Sequence, residues 1–213
     1  MMTNKKNKLN DTDFYFITDR NISGKNMISH VKDAIKAGVK IIQYRDNEAS
    51  TKEKIEIAKK IKKLAEGKAI FIVNNDVGFA LAVNADGVHL GQEDMPYDDA
   101  RRLLGRNKII GLTVHNMREA LNAEKKGADY IALSPIFETT TKPDAGKPSG
   151  LELIREARKK IKIPFTAIGG INQDNLDDVL NAGAKSVVMI SAVLSKKDVK
   201  WEIKRIRAII NSQ

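Results

Sequence analysis

The chain has 213 residues, 42% of them hydrophobic, no cysteine and a formal net charge of +10. That size fits one domain with a sizeable core. The lack of cysteine excludes disulfides, a thiol nucleophile and a cysteine metal cluster, and no run of about 18 apolar residues is present to cross a membrane. The positive balance, 37 Lys+Arg against 27 Asp+Glu, suits nucleic acid or phosphorylated small molecules. Lysines such as Lys59, Lys60, Lys62 and Lys63 interleave with apolar residues at helical spacing and read as solvated helix faces. Aromatics are only 5%, which offers few platforms for stacking bases. Small phosphorylated substrates are therefore the expected partners, without nucleic acid or membrane; a homodimer is left open. Residues 1–12 are expected to be disordered and 13–213 to form the domain. The polar, lysine-rich start has no apolar centre for a signal peptide, so a cytoplasmic protein is expected.

Apolar runs alternate with amphipathic ones along the whole chain. Phe14 to Thr18 is the first strand, and Met27 to Ala37 a helix stopped by Gly38. Val39 to Tyr44 is the second strand; Thr51 is the expected N-cap of a helix that ends at Gly67. Ala69 to Val73 is strand three, followed by a short helix from Asp76 to Val83. Gly87 to Leu90 and the helix Tyr97 to Leu104 form the fourth unit. Ile109 to Thr113 precedes a helix capped by Asn116 and closed by Gly127. Tyr130 to Leu133 is strand six, and Leu151 to Lys160 its helix. Phe165 to Ile168 precedes a helix from Gln173 to Ala182, and Ser186 to Ile190 precedes the last one, Val199 to Ile210.

These strands are short, continuous and rich in Ile and Val, as strands buried on both faces are. Eight βα units in one domain predict a parallel α/β fold, a closed (β/α)8 TIM barrel. A doubly wound sheet would want a glycine-rich fingerprint after strand one, and Thr18-Asp19-Arg20 has none.

Chemistry in such a barrel sits at the carboxyl ends of the strands. The stretch from Ser134 to Gly150 is longer than a usual connection and carries Thr139, Thr140, Thr141 and Lys142, three hydroxyls and a cation suited to an anion. Gly169-Gly170 after strand seven and Ser191 after strand eight occupy the usual phosphate position of the fold, although a tight turn would also use two glycines. Gln43 and Arg45 fall on one side of strand two by alternation. Arg45 then offers a fork for a second anion, or pairs with Asp19. Asp94 and Asp76 are carboxylates near the same mouth that suit Mg2+; Asp94 reads equally well as a helix cap before Met95-Pro96.

A resemblance rests on particular stretches. Phe16-Ile17-Thr18-Asp19, Ile42-Gln43-Tyr44-Arg45, Gly87-Val88-His89-Leu90-Gly91-Gln92-Glu93-Asp94, Thr139-Thr140-Thr141-Lys142 and Ala167-Ile168-Gly169-Gly170-Ile171 stand in the order of the thiamine phosphate synthase family, which the chain resembles over nearly its whole length. The resemblance implies a transferase that joins a hydroxymethylpyrimidine diphosphate to a thiazole phosphate through a pyrimidine methyl cation. It implies that Gln43, Tyr44, Arg45, Asp46, Asn47, Asn74, Thr113 and Lys142 hold the pyrimidine diphosphate, with Arg45, Thr113 and Lys142 taking part in catalysis. Thr139, Thr140, Thr141, Gly170, Ile190 and Ser191 would hold the thiazole phosphate. Mg2+ would be bound by Asp94 and by the position of Asn75.

Two places depart from the family's pattern. Asn47 stands where the resemblance expects a lysine, and Asn75 where it expects an aspartate, a weaker ligand for Mg2+. The sister branch, the thiazole tautomerases, is the alternative enzyme, with His115 as acid/base, although a helix-start histidine bonded to backbone reads as well. A non-catalytic binder of thiamine precursors is the remaining alternative.

Overall fold

The computed structural model describes residues 8–142 and 145–213. Eight parallel strands pair in chain order: β1 (Tyr15–Ile17), β2 (Ile41–Tyr44), β3 (Ile70–Asn74), β4 (Gly87–Leu90), β5 (Ile109–Val114), β6 (Tyr130–Leu133), β7 (Phe165–Ile168) and β8 (Val187–Val188). A parallel bridge between Phe14 and Val187, with Val187 N donating to Asp13 O at 3.1 Å, closes β8 onto β1. The (β/α)8 barrel read from the alternation of apolar runs is the observed fold.

Each strand is followed by at least one helix: α1 (Arg20–Ser23) and α2 (Met27–Lys36), α3 (Thr51–Ala65), α4 (Val77–Ala82), α5 (Tyr97–Leu104), α6 (Met117–Lys126), α7 (Gly150–Lys160), α8 (Leu176–Asn181), α9 (Ser191–Leu194) and α10 (Val199–Asn211). Alternation along the strands divides the core. Ile42, Phe71, Val88, Ile110 and Ile131 face the helices, while Tyr15, Ile41, Ile70, Ile72, Ile109 and Tyr130 fill the lumen. Each fully buried Ile or Val contributes about 1.5–3 kcal/mol, so both layers hold the barrel together. No helix among the described residues is long and apolar enough to cross a membrane.

Several boundaries differ from the sequence reading. Ser50, not Thr51, caps α3, its hydroxyl accepting from Glu53 N at 3.3 Å. The helix expected from Gln173 starts at Leu176, because the side chains of Asn172 and Asn175 accept backbone bonds from Asp174 and Asn172 and hold a turn there. β8 is shorter than expected, and α1 and α9 are single turns too short to show a helical period. Of the segment expected to be disordered, residues 1–7 lie outside the described residues. Residues 8–12 correct that expectation: residues 8–10 form a helical turn, and Leu9 is buried against the lumen cluster.

Candidate active site

The carboxyl ends of the strands open into a cavity of about 700 Å³, a size that takes a drug-sized ligand. Its floor is polar. In the paired strands Ile17 meets Gln43, and Asn74 meets His89, so alternation turns these side chains into the lumen. Gln43 is 2% exposed; its Nε2 donates to Tyr15 Oη at 2.8 Å, and its Oε1 accepts from Asn74 Nδ2 at 2.9 Å. Tyr15 and Tyr130 meet hydroxyl to hydroxyl at 2.7 Å across the lumen. Tyr130 can extend that far because its register partner is Gly111, where a Cβ would collide with the phenol ring. His89 lies beside them, Nδ1 3.0 Å from Tyr130 Oη and Nε2 2.9 Å from Thr113 Oγ1. Burial, and then the nearby Lys142 cation, push the His89 pKa down to about 3, so the ring is neutral. Burial raises both phenols and keeps them protonated.

Arg45 makes the pair with Asp19 and also stands at the cavity. Its Nη1 donates to Asp19 Oδ2 at 2.6 Å, and its side chain lines the cavity. Asp19 is fixed in turn as the N-cap of α1, accepting from Ile22 N. The Thr18 hydroxyl exchanges two hydrogen bonds with the Arg45 backbone, at 2.9 and 3.0 Å. The guanidinium is thus aimed from both ends and keeps donors beyond the one given to Asp19.

The long loop has a closed neck. Gly150 N donates to Ile136 O, and both the N–H and the hydroxyl of Ser149 donate to Pro135 O. From that neck Thr139, Thr140, Thr141 and Lys142 reach the cavity wall. Gly169 and Gly170 have φ of 101° and 65°. A Cβ at Gly169 would lie 2.6 Å from Pro135 Cα, and one at Gly170 2.7 Å from Phe137 Cβ. The two glycines therefore let the loop lie against β7, a role beyond the phosphate approach read from sequence. Ile190 and Ser191 complete this side; α9 begins at Ser191, so its first N–H groups lack intrahelical acceptors.

Of the residues predicted for the site, Gln43, Arg45, Asn47, Asn74, Asn75, Thr113 and His115 line this one cavity together with the loop and the β7–β8 residues. Three do not. Tyr44 alternates outward, packs on Phe79 with ring centroids 6.2 Å apart, and donates to Asp46 Oδ2. Asp46 accepts from Arg20 Nε, Glu48 N and Ala49 N and is 8% exposed, a brace for the β2–α3 turn and not a ligand contact. Asp94 lies outside the lining and accepts from Gly91 N at 2.6 Å; it does not cap α5, whose N-cap is Pro96. Asp76 caps α4, accepting from Phe79 N at 2.8 Å. Among the described residues no three His, Asp or Glu side chains gather as a metal cluster. His115 Nδ1 donates to Ser134 O at 2.5 Å, the backbone bond its plainer reading expects, and the ring also lines the cavity.

The description of one protein family fits this chain: a model for thiamine monophosphate synthase matches residues 14–193. That span holds the whole lining, from Tyr15 to Ser191. The thiamine-phosphate synthase of Methanosarcina mazei is 53% identical over 209 residues, 98% of this chain and 87% of that protein. The thiamine-phosphate synthase of Methanosarcina barkeri is 52% identical over 200 residues, 94% of this chain and 91% of that one. In structure, the thiamine phosphate pyrophosphorylase from Pyrococcus furiosus superposes with a TM-score of 0.86 at 41% identity, covering 97% of this chain and 98% of that one.

The chain belongs to the thiamine monophosphate synthase family.

Within this family member, sequence reasoning missed the deeper floor. Tyr15 and Tyr130 carry no motif, and a tyrosine in an apolar strand reads as core; His89 stands in the Gly87–Asp94 stretch, but no role was read for it. The available signal was alternation: Tyr15 and Ile17 share the side of β1 that faces Gln43.

Proposed function

We propose that the protein condenses a hydroxymethylpyrimidine diphosphate with a thiazole phosphate to give thiamine phosphate and pyrophosphate. One observation carries this reading. A single cavity joins two walls of groups suited to anions, Arg45 with Lys142 and the threonines with Gly170 and Ser191, in a chain 53% identical to a thiamine-phosphate synthase. The bond from the pyrimidine methylene to the diphosphate oxygen breaks, and its electron pair leaves with the diphosphate. The resulting methylene cation is trapped by the thiazole nitrogen lone pair, forming the C–N bond of the thiazolium.

Arg45 and Lys142 place positive charge where the leaving diphosphate gains negative charge, the kind of stabilisation that lowers such a barrier most. Asn74, Gln43 and Thr113 offer amide and hydroxyl groups to the pyrimidine half. Thr139, Thr141 and Ser191 offer hydroxyls to the thiazole phosphate. Holding both substrates in one cavity replaces a bimolecular encounter with proximity.

The donor set fits Mg2+ modestly. Asp94 keeps Oδ1 without a hydrogen bond, Asn75 stands at the cavity wall, and a diphosphate brings its own oxygens, as Mg2+ sites built on one carboxylate require. Bound there, Mg2+ would neutralise charge on the diphosphate. Substrates carrying several negative charges do not cross a bilayer unaided, which supports a reaction in the cytoplasm where such precursors are held.

The test is thiamine phosphate formation from the two precursors, with and without Mg2+. Equal yields of thiamine phosphate and pyrophosphate, dependent on Mg2+, are expected. Binding of both precursors without product would reject the synthase reading.

A further inference from the structure

The floor network runs unbroken through five side chains: Asn74, Gln43, Tyr15, Tyr130 and His89, ending on Thr113. Each phenol carries one proton, and a neutral imidazole carries one. A chain of this kind has only two polarities that leave no buried proton unpartnered. Tyr15 Oη accepts from Gln43 Nε2, so the Tyr15 proton goes to Tyr130 Oη. The Tyr130 proton then goes to His89 Nδ1. The imidazole proton is left on Nε2, which donates to Thr113 Oγ1. This network supplies no acceptor for Thr113's own proton, and Thr113 lines the cavity.

In the reverse polarity Gln43 would present Oε1 to Tyr15, and every step would turn round. Thr113 would then donate to His89 and meet the ligand only as an acceptor. An acceptor is of no use to an anion. A cavity walled by Arg45 and Lys142 is built for an anion, so the polarity present in the structure matches the ligand.

We propose that Tyr15 and Tyr130 are positioning residues that, through His89 held as its Nε2–H tautomer, make the Thr113 hydroxyl an obligate proton donor to an anionic oxygen of the substrate. The identity of that substrate, a diphosphate, rests on the synthase reading; the polarity does not. The barrel interior thus does more than fill space: it orients one hydrogen atom at the site.

Long-range proton–nitrogen NMR on the full chain labelled with 15N-histidine reads the tautomer directly, without substrate. His89 is expected protonated on Nε2 and bare on Nδ1 across pH 5 to 8, its signal assigned by its loss in His89→Gln. A bare Nε2, or a cationic ring, would overturn the proposal. Tyr130→Phe removes the donor to Nδ1 and is expected to give a tautomer mixture; an unchanged tautomer would also overturn it.

In turnover, Thr113→Val and Tyr130→Phe are each expected to lower kcat/KM about 10-fold, one hydrogen bond's worth. The double variant should be no slower than Thr113→Val alone. Losses that multiply would mean that Tyr130 acts by packing and not through Thr113. A wild-type chain that made no thiamine phosphate would reject the synthase reading, while the tautomer would still decide the relay.

Discussion

On the floor of the cavity Gln43, Tyr15, Tyr130 and His89 are buried, and each polar atom meets another side chain. At the rim Thr139 to Lys142 stand half-buried or exposed, on a loop held at its neck and against the end of β7. The floor is neutral and fixed by strand register; the rim carries charge and hydroxyls on irregular backbone. The difference separates two tasks. A buried network can set which atoms donate, because only two polarities leave no polar group stranded. A solvated loop cannot impose such a pattern, but it can bring positive charge to a ligand that arrives with its own negative charge. The two regions also touch electrostatically, since Lys142 helps to hold His89 neutral.

The largest effect is expected at the rim. Lys142→Ala should lower kcat/KM by about 10²–10³-fold, as removing one preorganised donor from a charge-developing centre does. Because the side chain sits on the loop outside the core clusters, thermal stability should change by less than about 2 °C. Steady-state kinetics and a melting curve on one preparation check both halves. A variant that lost activity and several degrees together would erase the distinction between rim and floor.

The floor should announce itself in stability, through pH. His89 is pushed down to about 3 from an ordinary 6.5. Between those values the unfolded chain binds a proton that the folded chain refuses, so stability rises with pH. The contribution is complete above about pH 6.5 and is lost as pH falls toward 3. His30, also lowered by burial, adds in the same direction. The lowered carboxylates Asp13, Asp46 and Glu202 have the same sign but act only below their ordinary range near pH 4. Denaturant unfolding between pH 5 and 7 therefore isolates the histidines, with a slope of up to about 1.4 kcal/mol per pH unit for each proton. His89→Gln and His30→Gln should each remove part of that slope. An unchanged slope in His89→Gln would show that the floor does not exclude the proton.

The contrast also explains what could be read from the sequence. The barrel was legible because short apolar strands and amphipathic helices alternate eight times, several of the helices stopped by glycine, each repeat reinforcing the others. The rim was legible because Thr-Thr-Thr-Lys and Gly-Gly are local patterns. The floor was not: Tyr15, Tyr130 and His89 lie on three different strands, and their meeting depends on register and on the space left by Gly111. Tyr44 and Asp46 were misplaced for the converse reason. They adjoin Gln43 and Arg45 in sequence, but a strand sends neighbours to opposite faces, and both are used up in bracing the helix layer.

Asn75 offers the finest test of where charge belongs in this site. It has φ of 65°, in the left-handed region, where Asn and Asp are both tolerated. Asn75→Asp should therefore keep the backbone and change only charge. Exposed at the cavity wall, the new carboxylate adds about 2 kcal/mol of attraction for a divalent cation about 4 Å away in a wet site. The Mg2+ concentration that half-saturates turnover should fall about 30-fold, with kcat nearly unchanged. The His89 tautomer should not move, because no floor residue bonds the Asn75 side chain. A shift in Mg2+ response without a shift in tautomer would show that charge at the wall and proton order on the floor are separately adjustable. An unmoved Mg2+ response would take Asn75 out of the metal site and leave Asp94 as its only protein carboxylate.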